Sequence, residues 1–163
     1  MKTWQRRTLG ILAAGGGAVG FAASLALLFT RSNPLEWLVC IAVTTLYAWG
    51  IWCGVKLIEA QPGAERSNFK YWLVQIPAFS SPIIGYFLSS GFHVTASIQF
   101  SPLKLNGDFL VGSKFNYSLM QTDQPVVVGV NVFALAIAMW LGSQIRRQLP
   151  TGSLRPDPLR ETT

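Results

Sequence analysis

Four stretches without a charged residue, 8–30, 37–55, 71–92 and 124–145, dominate the chain. About 20 apolar residues in a helix are needed to carry a self-bonded backbone across hydrocarbon, and all four stretches are near that length. The pattern predicts four membrane-spanning helices. After Phe92 it changes to alternation, with Val94, Ala96, Ile98 and Phe100 interleaved with Thr95, Ser97, Gln99 and Ser101. Period two is the signature of a strand with one apolar face. Leu103 and Leu105 continue it to Asn106-Gly107, a pair that favours a tight hairpin turn, and Asp108 to Val111 fits a returning strand. A third strand is expected over Phe115 to Met120.

The fold class expected is therefore an all-α integral membrane protein. It comprises a four-helix transmembrane bundle over 1–147, with a small antiparallel sheet of two to three strands in the outer loop, 94–123, between the third and fourth helices. The remainder, 148–163, holds Pro150, Pro156 and Pro158 among polar residues and is expected to be a disordered cytoplasmic tail.

The spans carry two features of their own. Gly16 and Gly20 form a GxxxG step, and Ala13 with Gly17 repeats the small-xxx-small spacing, so one face of the first span can approach a neighbouring backbone closely. In the third span Pro77 and Pro82 are expected to bend the helix and free carbonyls one turn earlier, beside Gln75, Ser80 and Ser81. Asn131 in the fourth span joins them as a candidate polar site within the membrane.

Charge gives these spans an orientation. The net charge is +6, yet the Lys and Arg residues flank the spans and form no stripe with interleaved aromatics, which argues against a nucleic-acid partner. Lys2, Arg6, Arg7, Lys56, Arg66, Lys70, Arg146, Arg147, Arg155 and Arg160 fall on one side, against Arg31, Lys104 and Lys114 on the other. Positive loops stay in the cytoplasm, so both termini are predicted to be cytoplasmic, in the inner membrane of a bacterium. Gln5 to Leu9 is similar to a twin-arginine signal, but the apolar run that follows exceeds the usual 7 to 15 residues of a signal core, and an uncleaved first span is expected.

Little reaction chemistry is visible. Cys40 and Cys53 lie thirteen residues apart on one predicted helix, about 20 Å of rise, which is too far for a disulfide. One histidine, His93, and scattered carboxylates make no catalytic cluster, metal site or cofactor site, so an enzyme is not expected. The expected partners are the lipid bilayer and either a membrane protein or another copy of the chain. The function that fits is a membrane scaffold, assembly factor or accessory subunit acting through the small-residue helix face and the outer β loop. The alternative is an oligomeric transporter or channel component that uses the kinked third span.

Overall fold

The computed structural model describes residues 1–30, 32–100, 103–119 and 125–148. The chain opens with two long helices, α1 (Thr3–Leu28) and α2 (Pro34–Ile58). The second starts where the Asn33 side chain accepts from the Leu35 amide at 3.0 Å and Pro34 supplies a preset first turn. The two helices pair along small residues. A Cβ on Gly17 would lie 2.9 Å from the Ile51 amide nitrogen, and one on Gly20 would enter the Tyr47 ring. Both helices are long and apolar enough to cross a membrane.

The other two expected spans are corrected by the structure. Where a third helix was expected over 71–92, α3 (Ala64–Val74) ends, and β1 (Pro77–Ser80) and β2 (Ile84–Ser89) follow. Pro77 and Pro82 do not kink a helix; they end one and punctuate two strands. Proline lacks the helical N–H and pushes the residue before it towards extended backbone, and Pro77 takes the first position of its strand, where the missing donor costs least. In place of a fourth span over 124–145, β6 (Val127–Asn131) leads directly into α4 (Val132–Gln148). The Val126-Val127-Val128 run prefers extended backbone, and Asn131 then accepts the Ala134 amide at 3.2 Å to start the helix. The fold is thus not an all-α four-helix bundle. Among the described residues it has four helices and a six-stranded antiparallel sheet.

Three further strands complete that sheet: β3 (Phe92–Phe100), β4 (Leu103–Val111) and β5 (Lys114–Leu119), in the order β4-β3-β6-β1-β2-β5. The alternating residues after Phe92 do form a strand. The predicted turn at Asn106-Gly107 does not form, because both residues lie inside β4, paired with Ser97 and Ala96, and the chain reverses between the paired residues Phe100 and Leu103. Reversal there keeps Leu105 and Phe109 on the same face as Ile98 and Val94. A turn at Gly107 would have cut that face in half. Of the expected tail, 148–163, Gln148 ends α4 and 149–163 lie outside the described residues, as do positions 101–102 and 120–123 of the predicted outer loop.

The sheet curls until its two edges approach. Lys114 Nζ, at the start of β5, reaches Asp108 Oδ2 on β4 at 3.4 Å, although these strands are at opposite ends of the strand order. Curling separates two chemistries. The outer face is apolar: Leu88 packs with Val43 and Tyr47 of α2, Phe92 meets Phe133 of α4 at a ring separation of 4.6 Å, and Val94, Ile98, Phe100, Leu105, Phe109 and Val128 remain exposed. The inner face carries most of the polar residues, Ser80, Ser89, His93, Thr95, Ser97, Asp108, Lys114 and Asn116, together with Phe87, Leu110 and Val127, as the strand registers require.

Candidate functional site in the cup of the sheet

The inner face forms a cup of about 200 Å³ that residues from all six strands line, among them Ser80, Thr95, Ser97, Asp108, Lys114 and Asn116. Asp108, in its lining, ends a buried hydrogen-bonded array. Ser89 Oγ lies 3.0 Å from His93 Nδ1, and His93 Nε2 lies 3.5 Å from Asp108 Oδ2. A carboxylate only accepts, so it fixes the Nε2–H tautomer and leaves Nδ1 to accept from the serine hydroxyl. The His93 hydrogen bond above all, with the Lys114 ammonium adding to it, holds the Asp108 carboxyl below the ordinary carboxylate range, against the opposing effect of partial burial.

The Ser89, His93 and Asp108 array has the residue types of a nucleophilic triad but not its exposure. Ser89 and His93 are fully buried, and Ser89 Oγ also accepts the Lys114 amide at 3.3 Å. The hydroxyl offers no free oxygen to a substrate. What the array does is pin β2, β3, β4 and β5 together at the end of the sheet nearest the helices.

Below the cup, a second polar layer ties the sheet to the helices. The Ser90 amide donates to Gln75 Oε1 at 2.8 Å, the Asn131 amide donates to the Ile76 carbonyl at 2.9 Å, and Tyr47 of α2 donates its hydroxyl to the Ser89 carbonyl at 3.1 Å. Ser113 donates to the carbonyl of Gly16, which packs so closely on Ser90 and Gly91 that no side chain fits there. Among the buried groups without a hydrogen-bond partner are the Thr95 hydroxyl and the Asn131 Nδ2 amide. They sit on residues directly opposite each other in neighbouring strands.

The residues singled out in the sequence are redistributed accordingly. Gly16 meets the β2–β3 turn, Gly17 and Gly20 meet α2, and Ala13 lies in a small core with Cys53 and Tyr71. Gln75 caps α3 and is buried with Asn131, whereas Ser80 lies at the far end of β1, with Ser81 and Pro82 in the link beyond it. Thr95, Asp108 and Lys114 were not picked out as site residues. The signal available was the polar half of the alternation after Phe92, which marks a second face as clearly as the apolar half does. No family model, curated protein or solved structure matches this chain.

Proposed function

We propose that this chain is a membrane-anchored scaffold or accessory subunit that holds a partner through the free edge of β4. The observation that carries the reading is β4 itself: nine residues, every one exposed, with β3 as the only strand beside it among the described residues. The Phe100 amide donates to Val126 across β6, and the Gly112 amide to Gly91, which sets the phase of the ladder. Leu103, Leu105, Gly107, Phe109 and Val111 accordingly turn their N–H and C=O groups to the open side. An unpaired edge of this length is a template for another strand.

Membrane anchoring is supported by where the apolar surface lies. In the most apolar windows of α1 and α2, only 28% and 33% of residues are buried within the chain, unlike the core helices of a soluble fold. Trp4, Ile11, Val19, Leu38, Ile41 and Trp52 face outward. Arg6, Arg66 and Ile145 line one pocket, so the basic ends of α1, α3 and α4 converge on one side, the cytoplasmic side by the positive-inside rule. The sheet then lies towards the outer side of a bacterial inner membrane. Unpaired backbone groups at that depth cost several kcal/mol each in hydrocarbon, which favours a partner strand on β4.

The transporter alternative rested on a kinked helix over 71–92, and only 71–74 of that stretch is helical. The scaffold reading is tested with a photo-crosslinking residue at Leu105, activated in native membranes, with the same residue at Ile11 as a lipid-facing control. A stoichiometric adduct from Leu105 alone is the expected result. Monomer from both positions would count decisively against the reading.

A further inference from the structure

The geometry points to the cup as a binding site for the phosphoethanolamine head group of a lipid, with the acyl chains leaving between the unpaired edges of β4 and β5. This inference rests on the membrane placement proposed above, though not on a protein partner at β4. Three observations converge. The lining of the cup is itself mixed, with Ser80, Thr95, Ser97, Asp108, Lys114 and Asn116 beside Phe79, Phe87 and Val127, and the outside of the same strands is apolar, so a molecule that fits both must be amphiphilic. Thr95 lines the cup, is only 8% exposed, and its hydroxyl has no protein partner. Buried hydroxyls are almost always bonded, so an orphan one on a residue that lines a cavity marks a place for a guest.

The third observation is the charge pattern. Lys114 and Asp108 face each other at 3.4 Å with side chains 48% and 57% exposed, so both are within reach of a guest. An isolated anion would satisfy the lysine and repel the aspartate. A dipolar head group satisfies both, its phosphate taking Lys114 and Asn116 and its ammonium taking Asp108. Because β4 and β5 share no backbone ladder among the described residues and touch through Lys114 and Asp108 near their link, the wall of the cup is open along the rest of that seam, and a lipid can enter without leaving the bilayer.

The test uses the full chain in nonionic detergent micelles and measures binding by native mass spectrometry and by thermal shift. The probes are lysophosphatidylethanolamine, lysophosphatidylglycerol and soluble glycerophosphoethanolamine. The ethanolamine lysolipid should bind about tenfold or more tightly than the glycerol one, with the soluble head group weaker still. Lys114→Gln should reduce that binding by a similar factor. Thr95→Val supplies a result of opposite sign: it should stabilise the empty protein, by removing an orphan hydroxyl, while weakening the lipid. Equal binding of the two lysolipids, or unchanged affinity in Thr95→Val, would overturn the site. Soluble head group binding as tightly as lysolipid would overturn the lipid as its source. Carbonate extraction of native membranes checks the anchoring separately: release of the protein there defeats the membrane placement, whereas retention with no lipid selectivity defeats this inference alone.

Discussion

Tyr47, near the middle of α2, donates its hydroxyl to the carbonyl of Ser89 at the inner end of β2, 42 residues further along the chain. The bond is buried, and it fixes the floor of the sheet at mid-height of the α1–α2 hairpin rather than beyond its tip. Tyr47→Phe removes the donor and leaves the carbonyl without its partner. Destabilisation of about 1–3 kcal/mol is expected, measured by denaturant unfolding in detergent. A loss well below that range would mean that packing around Val43 and Leu88, not the hydroxyl, sets the height of the sheet.

Gly16 supports the same junction from α1. A methyl there would run into the backbone of Gly91, whereas one on Gly15 meets nothing within 4 Å. Gly16→Ala should therefore cost about 1–3 kcal/mol by overpacking. Gly15→Ala should be neutral or stabilising, since alanine is the better helix former by about 1 kcal/mol. Matched thermal melts of the two variants separate this junction from a general dislike of bulk on α1. Equal losses would show that the Gly91 contact is not the reason.

How much of this was legible in the residues differs by element. The two long helices and the strand after Phe92 follow from run length and strict alternation. The half-length helices did not, because an unbroken apolar run such as Val126 to Val130 has no period with which to choose between a buried strand and a helix. β-branching favoured the strand, and Pro77 favoured an ending over a kink, but both signals are weaker than the length of the run. The cup was hidden for a topological reason. Asp108 and Lys114 are only six residues apart, across the short link from β4 to β5, yet these strands are opposite edges of one sheet, and that closure is not visible in the residue pattern.

Asp108 makes acid stability a reporter of the cup. Its carboxyl titrates lower in the folded chain than in the unfolded one, so its contacts with His93 and Lys114 contribute fully above the ordinary carboxylate value of about 4. That contribution is lost as pH falls through the lowered folded value. Unfolding free energy should accordingly hold level down to about pH 5 on this account and decline below it. Asp108→Asn should start lower at neutral pH and show a shallower acid decline. Parallel curves for the two proteins would remove Asp108 from the linkage.

The outer face of the sheet makes the sharpest claim about surroundings. Phe100 is 58% exposed and Leu105 is 84% exposed, a large apolar area to leave in water, while Ser97 lies on the inner face between them. If lipid covers the outer face, single tryptophans at these positions report opposite environments, once the native indoles are subtracted with the parent protein as reference. Phe100→Trp and Leu105→Trp should emit at short wavelength and be quenched by bilayers of brominated lipid. Ser97→Trp should emit at longer wavelength and respond to aqueous iodide. Quenching of the outer pair by iodide and not by bromine would place the sheet in water, and the cost of unpaired backbone in hydrocarbon could then no longer be used to argue for a partner strand on β4.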